Sequence, residues 1–380
     1  MRKLIKLNNS LNIKFDSKIN EYINPEKLYI EILPNFDLLV KQNDNVLKGD
    51  ILLQNKLNKI KSPISGNVIG TTIINKKNYL AILNNYEEKD KYYTKKRINK
   101  FNKENIINIL YEYGYSYYAN IFETKKINNL IINGMEDEPY IENNPFIINK
   151  YSKEILELCD ILSNAFDYKN SYICVKSDDT SNIEIYLNKI GTYPNIKFSL
   201  IENKYLLANR FFLLENMNLT MDDSLVINAE DAINLYNALK NYEIKTTKYI
   251  TISSPFLTKS KVIQVKIGTS LSDILENNIS IKEKDLTYIY NGLMTGYEVN
   301  PKDIIIDNNT KGVIIIKKDL PKEEECNLCG MCYKICPVKV NPKKVMDTNK
   351  KSKNCIDCGL CSYICPCKIN LRKYLRGKDV

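Results

Sequence analysis

Two cysteine runs close this chain and limit what it can fold into. CNLCGMCYKICP starts at Cys326 and CIDCGLCSYICP at Cys355. Nine of the eleven cysteines lie in the last 55 residues, and there is no histidine. MRKLIKLNNSLNIKF shows no secretory pattern, so the thiols are expected to meet a reducing compartment, where structural disulfides are rare. The concentrated thiols therefore point to a metal or redox centre. Cys159 and Cys174 stand apart in apolar surroundings and read as core thiols.

Both runs follow C-x2-C-x2-C-x3-C-P, the spacing of bacterial two-cluster ferredoxins. Three thiolates two residues apart fit a tight loop around one corner of a cubane. The fourth lies on the following helix and reaches the other cluster. This predicts one [4Fe–4S] cluster on Cys326, Cys329, Cys332 and Cys365, and a second on Cys355, Cys358, Cys361 and Cys336. Gly330 and Gly359 follow the second cysteine of each run, where a bulkier residue would crowd the loop. Zinc ribbons pair C-x2-C knuckles and have no use for the third and fourth cysteines of these runs. Without histidine, Rieske ligation and imidazole-dependent zinc sites are excluded. Cys367 is a ninth thiol, read either as a bystander or as an alternative ligand or redox-sensitive group. Two adjacent clusters form an electron wire, so the function expected is electron transfer.

The rest of the chain reads as a multi-domain α/β and α+β protein. Short β-prone runs occupy residues 28–83, with turns expected at Asn43–Asp44 and Gly66–Asn67. A charged linker follows over 84–105. LIING, SYICVK, NIKFSLIE and SLVIN then alternate with helical patterns, which implies a parallel sheet covered on both faces. One helix is expected through Phe166, with Ile147, Ile148, Tyr151, Ile155, Leu158 and Leu162 as its apolar stripe. Residues 249–317 are β-rich again, with a short helix at LSDILENN. The net charge of +10 comes mostly from lysine without long blocks, which argues against nucleic acid and fits an acidic partner. No stretch has the roughly 18 apolar residues of a membrane span.

The order of parts resembles the C subunits of Rnf electron transport complexes, the ferredoxin:NAD oxidoreductases of bacterial membranes. The resemblance rests on VKQNDNVLKGDILLQ…SPISGNVIG, LIINGMEDEPYI, VKIGTSLSDIL…NGLMTG and the two cysteine runs, and covers roughly residues 25–375. It implies a barrel-sandwich (biotinyl/lipoyl-like) β domain over 1–90 and an α/β domain like the flavin subunit of respiratory complex I over 91–245. A β-grasp domain of the soluble-ligand-binding type over 246–318 and a two-cluster ferredoxin domain over 319–380 follow. It also implies a peripheral subunit on the cytoplasmic face of the inner membrane, with other Rnf-type membrane subunits as partners, and FMN, NADH and ferredoxin as family ligands. Lys48 falls near the hairpin of lysine-modified carriers but lacks their flanking residues, and reads as an exposed turn lysine.

One departure stands out. The family's flavin loop has the form G-x-x-G-x-G-G-A-x-F-P-T, whose glycines admit phosphate and isoalloxazine against the backbone. Here the stretch is YGYSYYANIFET, with Gly114 retained and Tyr115, Tyr117 and Tyr118 in the place of small residues. KYLLANRFFLLEN from Lys204 and NAED from Asn228 also lack the family's glycines. Asn133, Glu136, Glu138 and Tyr140 of NGMEDEPY remain as candidate contacts to FMN or NADH, or as a capped turn before the next helix. The two expected functions are an NADH-handling Rnf-type subunit and an iron–sulfur relay adaptor that binds neither flavin nor NADH.

Overall fold

A computed structural model of the chain describes residues 4–8, 10–56, 58–87, 98, 100–318 and 322–376. Half of the expected linker, residues 88–97 and 99, lies outside the described residues, and its last three residues begin helix Lys103–Glu112.

Two small sheets form the N-terminal β region. One has the order Lys27–Glu31, Lys77–Asn84, Gly66–Ile74, Asn45–Val46; the other joins Asp37–Leu38, Ile51–Gln54 and Lys59–Lys61. Alternating residues of both, among them Leu28, Leu52, Val68, Leu80 and Ile82, meet in one core. Asn43 does make a turn, with φ 72°. Gly66 does not: it opens a strand, and a Cβ there would run into the carbonyl oxygen of Leu83. Its role is close strand approach.

The first strand, Phe15–Ile23, departs from the boundary at residue 90. It pairs in parallel with Ser260–Lys266, at the edge of a six-stranded sheet. The other strands of that sheet are Thr247–Ser253, Gly312–Lys317, Leu286–Tyr290 and Tyr297–Val299. Local alternation predicts a strand but does not name its partner. Helix Leu271–Asn278 packs Leu271 and Ile274 onto this layer.

Between these regions stands a four-stranded parallel sheet in the order Ile196–Ile201, Asn170–Lys176, Asn129–Asn133, Ser224–Asn228. Asn129–Asn133 is buried at every position, as a strand paired on both sides and covered on both faces must be. The chain leaves this strand toward one edge and returns on its other side at Ser224–Asn228. The switch point of the sheet therefore lies between the carboxyl ends at Asn133 and Asn228, where open α/β sheets place ligands. Helix Lys103–Glu112 starts with a reciprocal capping box between Asn102 and Asn105 and buries Ile106, Ile107, Ile109 and Leu110. The single helix expected through Phe166 is two, Asn143–Lys150 and Ser152–Phe166, broken at Tyr151. The apolar stripe still faces the core.

The C-terminal region is built from short helices: Met331–Ile335, Pro342–Thr348, Leu360–Tyr363 and Arg372–Arg376. Val340, Val345, Cys361, Cys367, Ile369, Leu371 and Leu375 form its core. Among the described residues no helix is long and apolar enough to cross a membrane.

Candidate functional site

The two cysteine runs make the same loop. Leu328 and Asp357, each just before the second cysteine, have φ 59° and 55°; Gly330 and Gly359, just after it, have φ 69° and 78°. A left-handed residue on each side of that cysteine turns the backbone tightly, and each glycine starts a short helix. Cys336 caps the end of the first of these helices, and Cys365 lies two residues beyond the second. The Val340 N–H donates to Cys336 Sγ at 3.2 Å, and the Asp357 N–H to Cys355 Sγ at 3.4 Å.

Burial pushes the Cys358 thiol up to about 11, and the neighbouring Cys336 and Cys355 push it the same way. Cys361 is pushed up to about 12 by burial and by Cys358. Cys336 of the first run packs on the same core as Cys355, Cys361 and Cys365 of the second. Among the described residues no three His, Cys, Asp or Glu converge as around a single ion. A cubane spreads its thiolates over four irons and does not require that convergence. The thiols, the repeated loop and the shared core fit two [4Fe–4S] clusters. Cys159 and Cys174 are fully buried, with burial pushing each up to about 12, and Cys367 is buried in the C-terminal core.

The second loop is built into the protein. The Tyr205 hydroxyl donates to the Cys358 carbonyl at 2.6 Å. Gly359 lies against the Met294 carbonyl so closely that a Cβ would not fit. Arg372 donates to both oxygens of Asp357, at 2.8 and 2.9 Å, and to the carbonyls of Thr295 and Gly296, at 2.7 and 3.1 Å. Sequence reading missed Tyr205 and Arg372. The available signal was that Arg372 is one of only five arginines among 55 cationic residues, and only arginine can fork in this way.

The four residues of NGMEDEPY are held by protein partners. Asn133 donates to the Ala208 carbonyl at 2.8 Å and accepts the Met135 N–H at 3.1 Å. Glu136 is buried, pairs with Lys311 at 3.0 Å and accepts from Asn144 at 3.2 Å. Glu138 is buried, accepts the Met294 N–H at 2.9 Å and bonds the Thr295 hydroxyl. Burial raises its carboxyl, and these two donors oppose the shift. Tyr140 has φ 64°, and its hydroxyl accepts the Leu11 N–H at 2.8 Å. The motif brings together Glu136, Glu138 and the loop at residues 291–296, which in turn touches the second cysteine loop.

YGYSYYANIFET forms a helix, Ser116–Thr124, rather than a glycine loop. Tyr113 is buried against Tyr242, and the Tyr118 hydroxyl donates to Asp231 at 2.7 Å. Burial raises Tyr115 and Tyr118 far above the ordinary phenol range. A helix that packs Tyr115 and Tyr118 on the core, in place of a glycine turn, does not offer the backbone cradle of a flavin phosphate. A cleft of about 800 Å³ opens beside it, lined by Gly114, Tyr115, Tyr118, Asp231, Lys245 and loops of the two neighbouring β regions.

Fold and site together define an iron–sulfur protein built on a flavin-subunit type of α/β domain. The family model described as "Nuo51 FMN-binding domain" matches residues 110–231, and that of a "4Fe-4S dicluster domain" matches residues 318–366. The C subunit of the ion-translocating oxidoreductase complex of Buchnera aphidicola subsp. Acyrthosiphon pisum is 24% identical over 354 residues, covering 84% of this chain and 75% of that one. Its counterpart from Buchnera aphidicola subsp. Baizongia pistaciae is 25% identical over 372 residues, covering 86% and 72%. The C subunit of the proton-translocating ferredoxin:NAD(+) oxidoreductase complex of Clostridium ljungdahlii is 24% identical over 230 residues, covering 57% of this chain and 50% of that one. A crystal structure of an air-oxidized NAD+-reducing [NiFe]-hydrogenase aligns with TM-score 0.51 at 9% identity, over 72% of this chain and 60% of that one, a likeness of fold alone. Over most of its length the chain is similar to the C subunits of ion-translocating oxidoreductase complexes.

Proposed function

We propose that this protein is a peripheral electron-transfer subunit of an Rnf-type membrane complex. Cys326, Cys329, Cys332 and Cys365 hold one [4Fe–4S] cluster, and Cys355, Cys358, Cys361 and Cys336 hold the other. When bound, the clusters carry single electrons. The observation that carries this reading is the repeated C-x2-C-x2-C-x3-C-P loop, whose two copies make the same left-handed turn and pack most of their thiols on one core. The chain's own residues fix that geometry. Gly330 and Gly359 allow the loops, Arg372 locks Asp357, and Tyr205 and Met294 hold the second loop against the parallel-sheet domain. The parts expected from sequence complete the reading: a barrel-sandwich-type N-terminal region, a β-grasp-type third region, and docking on the cytoplasmic side of a membrane through other Rnf subunits.

The tyrosines at 113–118 favour a relay that takes electrons from a protein donor over one that oxidises NADH at its own flavin. Asn133, Glu136, Glu138 and Tyr140 then act as a structural latch. NADH handling at a flavin has one observation in its favour, the 800 Å³ cleft beside Gly114. An anaerobic titration of the cluster-loaded protein separates the two. Bleaching by dithionite but not by NADH supports the relay. Stoichiometric bleaching by NADH means that the cleft holds a working flavin, and the relay reading falls.

A further inference from the structure

We infer that the loop of the first cysteine run is the docking face for an acidic redox protein. This rests on the electron-transfer reading above. The two runs make the same turn in different surroundings. In the second run Asp357 is forked by Arg372 and Gly359 is pressed against Met294. In the first, the twin of Asp357 is Leu328, which is 75% exposed in a left-handed conformation. That conformation costs a branched apolar side chain about 1 kcal/mol. A Cβ added to Gly330 would meet nothing within 4 Å. Met331 is 40% exposed, Tyr333 is 50% exposed, and Cys329 is exposed as well. The protein therefore covers one such loop with the segment around Met294, and among the described residues nothing closes on Gly330 in the same way. An apolar face over a thiol loop suits a partner that brings its own redox centre into contact.

Charge narrows the partner. Residues 322–376 hold twelve Lys and Arg against five Asp and Glu, three of the five standing just before Cys326, while the whole chain carries only +10. Lys334 and Lys344 are exposed on the two helices that follow the loop, while Lys343 pairs with Asp347. A lysine rim around an apolar centre complements a carboxylate rim and steers its approach. An anionic lipid surface would also attract the lysines, but it supplies no second redox centre. At this face one electron crosses in either direction and no bond forms or breaks.

The test uses the full chain, loaded with clusters, and an acidic two-cluster ferredoxin, with binding measured by calorimetry at low and high salt. Leu328→Asp places at this turn the residue its twin already carries, so the loop keeps its shape. Lys334→Glu with Lys344→Glu reverses the rim. Each variant should keep the wild-type iron content and visible spectrum yet bind at least about tenfold more weakly, and salt should weaken the wild type. Binding of both variants within twofold of wild type overturns the proposal. So does wild-type binding to phosphatidylglycerol vesicles without binding to the ferredoxin. Bleaching by dithionite is read on the same samples: loaded clusters that fail to bleach would sink the electron-transfer reading itself, whatever the affinities.

Discussion

Glu138 accepts the backbone N–H of Met294 at 2.9 Å, and the carbonyl of Met294 in turn closes the back of Gly359 in the second cysteine loop. A carboxylate at the mouth of the parallel sheet thus holds the segment that seats a cluster loop. Glu138→Ala leaves the Met294 N–H and the Thr295 hydroxyl without their acceptor, at a cost of about 2–4 kcal/mol. Glu138→Gln keeps an acceptor and should lose about 1 kcal/mol. Denaturant unfolding checks the order, with Ala well below Gln.

The twin glycines should respond differently. Gly330→Ala meets open space and carries only the left-handed strain, about 1 kcal/mol. Gly359→Ala adds a clash with the Met294 carbonyl, which brings the total to at least about 2 kcal/mol. Iron and sulfide analysis should find close to full occupancy in the first variant and a partial loss in the second. Equal losses in both would mean that the Met294 contact does not hold the loop.

These contacts mark the limit of what can be read in the sequence. The cysteine loops are legible because their chemistry is local: spacing alone fixes three thiols and a glycine in one turn. The strands of the parallel sheet and the stripe from Ile147 to Leu162 are legible because burial imposes a period. Glu138 and Met294 lie 156 positions apart, and nothing local pairs them. The acidic motif offered two readings for that reason, and only the fold brings Lys311 and Met294 to its carboxylates. Gly66 is a further case: a glycine beside an asparagine looks like a turn, but a neighbouring strand explains it.

Arg372 bonds Asp357 and two carbonyls with one planar group. Arg372→Lys keeps the charge but cannot make the fork and should lose about 1–2 kcal/mol. Arg372→Ala leaves Asp357 and both carbonyls without their donor and should lose about 3 kcal/mol. Thermal unfolding of the loaded protein should rank them wild type, Lys, Ala.

Two carboxyls should leave a mark on the pH dependence of stability. Burial pushes Asp137 from 3.8 up to about 6 and Glu142 from 4.5 up to about 7. Between those limits the folded state still holds protons that the unfolded chain has released. Their contribution therefore favours folding below the unfolded values and is lost as pH rises toward about 7. Asp137→Asn with Glu142→Gln removes that slope. Compared with wild type, the double variant should gain stability at about pH 7.5 relative to about pH 5, measured by denaturant midpoints. An unchanged difference would place both groups in water.

Strand Phe15–Ile23 completes a sheet whose other members lie near the far end of the chain; Glu21 and its ion-pair partner Lys261 are 240 positions apart. During synthesis the first strand leaves the ribosome long before Ser260–Lys266 exists, so it waits as an unpaired β edge while the two domains between them are made. Such long-range parallel pairing is slow to form. A product that stops short of residue 260 has no partner for that edge, and an open edge recruits other chains. The order of synthesis thus leaves an interrupted copy of this protein with an unpartnered strand, whereas the finished chain pairs it with Ser260–Lys266.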